Sequence, residues 1–381
     1  MPEGALAGLL VADFSRVLAG PLCTMTLGDL GADVVKVERP DGGDDTRHWG
    51  PPFVDEGATY YLGLNRNKRS VALDLKDPGD LRLARRLCDR ADVVVESFRP
   101  GTFARLGLGH DEIARANPGV ISCSISAFGT GERAASLPGY DLLLQAMSGL
   151  MSVTGEPGDG GRPLKAGAAL IDMICGLYAT TGILAALHAR ERTGRGQRVE
   201  VSLMDSALAG LLNQASAYLL AGVVAGRLGN RHPSIAPYET YEASDGPFAL
   251  AVGNDALFVR LCGAIGQPEL ATDARYATNA ARLEHRDELG AELEAAFAAA
   301  PAATWVERLG AAGVPAGPIN DIAQAFAFAE ALGLEPYDDT GGVRTVRSPL
   351  RLSETPAAVR ARPPRLGEHD TAIRAWLAAD D

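Results

Sequence analysis

No CxxC pair occurs in this 381-residue chain, and its five cysteines, Cys23, Cys88, Cys123, Cys175 and Cys262, are widely scattered. That pattern excludes a disulfide framework or a structural zinc site and fits reduced thiols in a cytosol. The six histidines form no HxxxH pair, and GxSxG, P-loop and metal signatures are missing. Basic residues are in deficit, 36 against 48 acidic for a net charge of −12, which argues against nucleic acid or an anionic membrane as the main partner. A basic lead is absent from the opening MPEGALAGLLVADF, and no uninterrupted apolar run approaches membrane-spanning length. A soluble, cytoplasmic protein without a signal peptide is the expectation.

What is present is a core. Apolar residues make up 46% of the chain and charged residues 22%, the balance of a globular protein. Its length exceeds what one core usually absorbs, so two domains are expected. LAGLLVADFS, ADVVKVERP, RSVALDL, ADVVVESF and VISCSISAFG read as strands separated by helical stretches, the signature of a parallel sheet covered on both faces. From 137 to 220 the pattern turns helical, with one strand in QRVEVSLM. Residues 221–330, with a hairpin around SDG and three helical stretches, suit a smaller second domain. An extended, Pro-rich tail and a terminal helix follow.

The first strand–helix–strand unit invites a dinucleotide reading, with Glu38 placed to hold a ribose. The turn reads SRVLAGP, without the glycines that let a pyrophosphate approach the backbone, so that reading is set aside. Basic residues recur near strand ends, at Lys36, Arg39, Arg66, Lys68, Arg69, Arg99 and Arg105. Each has a surface reading, and together they suit an anionic ligand at the carboxyl ends of the strands.

In AGAALIDMICGLYATTGILAALHAR one carboxylate, Asp172, interrupts apolar and small residues. At helical spacing its neighbours are Ala168, Ala169, Cys175 and Gly176, which leaves room for another molecule to reach it. An N-cap and a reactive carboxylate are both open on spacing alone. In PGYDLLLQAMSG, Asp141 reads as the N-cap of its own helix, with Gln145 on the same side.

GADVVKVERPDGGDDTRHWG, YLGLNRNKRSVALDLK, ESFRPGTFARLGLG, PGYDLLLQAMSG, ALIDMICG, TGRGQRVEVSLMD and PRLGEHD, in this order, resemble the family III CoA-transferases, also called CaiB/BaiF. The resemblance spans essentially the whole chain. It implies a large α/β domain with a Rossmann-like sheet (1–220), a smaller α+β domain (221–330) and a tail (331–381) that returns to the large domain. It also implies a homodimer of interlocked chains acting on acyl-CoA and small carboxylic acids, with coenzyme A as substrate and product rather than a bound cofactor.

The resemblance implies that Asp172 is the nucleophile and that Arg39 holds the nucleotide part of CoA. Leu73, Lys76, Ser97, Phe98 and Arg105 match positions lining the CoA site, and Val17 and Leu18 lie in the loop facing the thioester. Tyr140 stands where the racemase branch has a histidine base. A phenol titrating near pH 10 is a poor base at neutral pH, so transfer is favoured over α-methylacyl-CoA racemisation. The region matching the glycine run of formyl-CoA transferase reads GNRHPSIAPYETYEASDG, which points away from oxalate and formyl-CoA and toward a dicarboxylic or longer acyl group such as succinyl. A non-enzymic CoA sensor is the remaining alternative.

Overall fold

The computed structural model describes residues 4–158 and 160–379. The chain forms two compact units, Met1–Met151 with Lys165–Val224 and Glu335–Asp381, and Ser152–Leu164 with Ala225–Leu334.

In the first unit, runs of β-branched residues make six strands: β1 (Leu10–Phe14), β2 (Asp33–Glu38), β3 (Lys68–Ala72), β4 (Val93–Glu96), β5 (Ile121–Ser126) and β6 (Arg198–Ser202). They form one sheet in the order β3-β2-β1-β4-β5-β6, and every pair is parallel. The order reverses at β1, between β2 and β4. In open parallel sheets the loops leaving the strands at such a point form a crevice where ligands bind.

Helices cover both faces. Helix α1 (Ala19–Asp29) follows β1, and α2 (Pro78–Arg90) starts at the Asp77 cap, whose carboxylate accepts from the amides of Gly79 and Asp80 at 2.8 and 2.9 Å. Helix α3 (Asp141–Met147) precedes α4 (Leu170–Thr193), and α5 (Asp370–Ala378) closes the described chain. Ile171, Cys175, Ala179, Ile183 and Ala186 form the buried stripe of α4, at the spacing of one helical face, and pack with Cys23 and Leu27 of α1. On the other face Leu87 and Cys88 of α2 meet Ile373 and Leu377 of α5. Arg374 clips the tail to α2 through Asp80 at 2.6 Å.

At 24 residues, with an 18-residue stretch of mean hydropathy 1.8, α4 is long and apolar enough to cross a bilayer, contrary to the expectation from the sequence. Its buried stripe in the core accounts for part of that composition, while Leu177 and Tyr178 stay exposed.

The second unit contains an antiparallel sheet, β7 (Tyr238–Ala243), β8 (Gly246–Ala251) and the short β9 (Ala316–Pro318), around Phe248, Phe297 and Trp305. The hairpin follows the sequence reading, whereas β9 is too short to announce itself. Arg282 is fully buried there, donating to the carbonyls of Ala236 and Tyr276 and to Asp255.

Candidate active site

The loop leaving β1, Ser15–Leu18, forms one wall of the crevice. Val17 adopts φ +71°, a backbone conformation that costs a β-branched residue energy and persists only where its surroundings impose it. They do so here. Its amide donates to both carboxylate oxygens of Asp44 at 3.3 and 3.2 Å, and the Arg16 amide donates to Ser97 Oγ at 3.1 Å. Asp44 pairs with the buried Lys36 at 3.0 Å, and Lys36 also donates to the Ser15 carbonyl at 2.9 Å.

Asp172 sits in the first turn of α4, half-buried, and is not its cap. The N-cap position is Ala169, whose methyl group cannot accept a hydrogen bond. Asp141 fills the vacancy from another helix: its Oδ1 accepts from the amides of Ile171 and Asp172 at 2.8 and 3.2 Å. This corrects the reading of Asp141 as cap of its own helix, where Tyr140 holds the N-cap position. Gln145 donates to Asp141 Oδ2 at 2.5 Å and accepts from the Ala166 amide at 2.8 Å, so it orients that carboxylate. Gly176, one turn on, is where α4 crosses the start of α1; a Cβ there would lie 2.7 Å from the Ala19 carbonyl oxygen.

Burial first, and then the charge of Asp141, pushes the Asp172 carboxyl up to about 7. The phenol of Tyr60 is raised by burial and by the charges of Asp172 and Asp141, which puts its ring in the field of both carboxylates.

Asp172 lines one cavity, which shares lining residues with two others. A central cavity of about 230 Å³ is lined by Arg16, Val17, Leu18, Ser97, Phe98, Arg99, Tyr140 and Asp172 among others. It shares Arg16 and Phe98 with a cavity of about 200 Å³ lined by Arg39, Leu73 and Lys76. It shares Leu18 with an open cleft of about 570 Å³ lined by Thr59, Tyr60, Asp141, Lys165 and Ala168. Nine of the ten residues singled out from the sequence therefore line two adjoining cavities. Arg105 stands apart, donating to Thr102 on its own short helix and lining none of the three.

Several basic residues proposed as ligand partners are occupied instead. Lys68 is buried against Asp13 at 3.0 Å, Arg66 grips Asp29, and Arg69 pairs with Asp33. Residues 66–69 lie at the amino end of β3, away from the carboxyl-end crevice. Glu38 holds Arg47 through two bonds, of 2.8 and 2.7 Å, which leaves no ribose ligand there. Sequence reasoning overlooked Arg16, Asp44 and Lys165. Arg16 stands in the very turn examined for glycines, and its place beside Val17 was the available signal. Among the described residues no cluster of three His, Cys, Asp or Glu side chains suits a metal.

The model of CoA-transferase family III matches residues 6–370. The chain belongs to that family. It is 43% identical to the succinate–glutarate CoA-transferase of Agrobacterium fabrum, over 98% of this chain and 95% of that one. It is 42% identical to the acetyl-CoA:oxalate CoA-transferase of Acetobacter aceti, over 100% of this chain and 97% of the other. A CaiB/BaiF family crystal structure from Brucella suis superposes with a TM-score of 0.88 at 43% identity, covering 98% of this chain and all of that one. The family III chain described here is thus an enzyme that transfers CoA between an acyl thioester and a carboxylic acid.

Proposed function

We propose that this enzyme exchanges CoA between dicarboxylic acids, with Asp172 as the covalent nucleophile. The observation that carries the reading is a carboxylate without a cationic partner, lining the central cavity that shares residues with two neighbouring clefts. Basic residues Arg16, Arg39, Lys76 and Arg99 line the two cavities on one side, which suits the phosphates of CoA. The cleft beyond Leu18 suits the acyl group. Relatives named for succinate, glutarate and oxalate support a dicarboxylic substrate.

The ionised Asp172 attacks the thioester carbonyl, forming a mixed anhydride and expelling CoA thiolate. The thiolate attacks the aspartyl carbonyl, releasing the donor acid and leaving an aspartyl-CoA thioester. The acceptor carboxylate attacks that thioester to give a new anhydride, and the thiolate then takes the acceptor's acyl group and frees Asp172. Each step exchanges one acyl bond for another, which is why no metal or redox group is required by the scheme. A carboxyl titrating near 7 is more basic than a free aspartate, and so a stronger nucleophile once ionised. The orphan amides at the start of α1 suit the developing oxyanion.

Apolar side chains left open to solvent on the first unit, including Met147, Leu177, Tyr178, Leu212, Leu219 and Leu220, support a homodimer in which a second copy covers them. Sedimentation should give twice the chain mass. All five thiols are free and buried, which suits a reducing cytoplasm.

The test is to incubate the enzyme with succinyl-CoA and oxalate, glutarate or valerate, reading new CoA esters by mass spectrometry. Glutaryl-CoA is the expected product, and hydroxylamine should trap an adduct on the Asp172 peptide. Equal use of valerate would overturn the dicarboxylate reading. Deuterium exchange at the α-carbon without an acceptor would point to racemisation instead.

A further inference from the structure

We propose that Lys165 recognises the distal carboxylate of the substrate and so sets the preference for dicarboxylic over monocarboxylic acids. This rests on the reading of the site as a dicarboxylate CoA-transferase. The cleft beyond Leu18 is lined by Thr59, Tyr60, Asp141, Leu142 and small residues of the 167–169 turn, and among the described residues Lys165 is its one cation. That cleft already carries the negative charge of Asp141, which bonds to the amide of Asp172 itself. A dicarboxylate whose proximal end reacts at Asp172 brings a second negative charge toward this anionic wall. Taken from water with no partner, that carboxylate would be repelled and poorly solvated.

Lys165 is placed to supply the partner. Its Nζ donates to the carbonyls of Ala166 and Gly167, at 3.0 and 3.5 Å, both neutral groups. No carboxylate lies within ion-pair distance of it among the described residues, so the ammonium has no direct anionic partner. The turn that follows it, Gly167–Ala169, leads directly into α4, so the ammonium and the Asp172 carboxylate are attached to one short stretch of chain. Gly167, Ala168 and Ala169 of that turn line the cleft with side chains no larger than a methyl group. Arg16 and Arg99 are the other cations close to Asp172, but they line the central cavity and not this cleft. A charge-assisted contact formed only by substrates with a second carboxylate discriminates by what a monocarboxylate leaves unmade.

The experiment measures kcat/KM for glutarate and for valerate with succinyl-CoA as donor, in the full-length enzyme and in Lys165→Met, Lys165→Arg and Lys165→Glu. Lys165 is exposed, so the fold tolerates these changes, and thermal melting checks that it does. In Lys165→Met the glutarate-to-valerate ratio should fall by about tenfold or more, mainly through KM for glutarate, as expected when one charged contact is removed. Lys165→Arg should restore much of it. Lys165→Glu should shift preference toward 5-aminopentanoate, whose distal group is cationic. Inhibition by free CoA should keep its constant, because the lysine faces the acyl side. A wild-type preference for glutarate that survives in Lys165→Met overturns this assignment alone, as does an equal loss for both acids. A wild-type enzyme that does not distinguish the two acids overturns the dicarboxylate reading and this assignment together.

Discussion

Asp13 and Asp172 are both aspartates of the sheet unit drawn away from water, and they titrate in opposite directions. Burial pushes each carboxyl up. At Asp13, Lys68 and Lys36 together with the hydroxyls of Ser15 and Thr24 outweigh burial and hold the group at about 2. At Asp172 no cation answers, and the neighbouring Asp141 adds to the effect of burial, so the group rises to about 7. The first carboxylate is structural, with every lone pair engaged beneath the β1 loop. The second is left under-satisfied, as a nucleophile must be. Depth alone does not distinguish them; the sign of the neighbouring charge does.

The largest effect expected from breaking this contrast is at Asp172. Asp172→Ala or Asp172→Asn should cut CoA exchange by about a thousandfold or more while CoA still binds, measured by initial rates and by calorimetry with free CoA. Normal turnover in the alanine variant would refute covalent catalysis by this residue.

At Asp13 the loss should be in folding. Asp13→Ala leaves Lys68 and Lys36 buried with one carboxylate fewer between them, a change of the kind that costs about 3–5 kcal/mol. Denaturant titration should show it. A variant as stable as the parent would mean that Lys68 finds another partner or discharges.

Asp141→Asn keeps an oxygen that can accept from Ile171 and Asp172 but sets its amino group against the Gln145 Nε2 donor, so thermal melting is followed beside the titration. With the like charge gone, the Asp172 carboxyl should titrate lower. The acid limb of kcat/KM for succinyl-CoA, set near pH 7 in the parent, should then move to lower pH. An unmoved limb would show that burial alone sets it.

The smallest effect is on stability at the site itself. A folded-state pKa near 7, above the unfolded 3.8, means the folded protein holds this proton more tightly. Stability associated with that proton is present at low pH and is lost as pH rises from about 4 through 7. Asp172→Asn should therefore melt a few degrees above the parent at pH 8, with the gain shrinking toward pH 4. A gain independent of pH would assign it to packing.

Much of the sheet unit was legible because its signals are local. Runs such as DVVKVE and DVVVESF are strands by β-branched content, and Asp77 followed by Pro78 starts a helix by capping geometry. The small residues around Asp172 were read as room for another molecule, and Ala168 and Ala169 do line a cleft, whereas Gly176 serves a close helix contact that the spacing did not announce. The basic residues were harder. Lys36, Arg66 and Lys68 looked like ligand partners and proved to be buried ion pairs, because a sequence pattern shows a charge without showing what answers it. Lys68 and Asp13 are 55 positions apart, and Asp141 reaches the Asp172 amide across 31.

By itself, then, the sequence determined the alternation of strands and helices, the apolar stretch interrupted by Asp172, and the family motifs around it. Periodicity and capping act over a few residues, so a single chain displays them openly. The tertiary structure decided which aspartate caps α4, which cations remain available to a ligand, and which way Asp172 titrates. Those outcomes depend on Coulomb and hydrogen-bond contacts between segments remote in sequence, and only the packed sheet and helices bring those segments together.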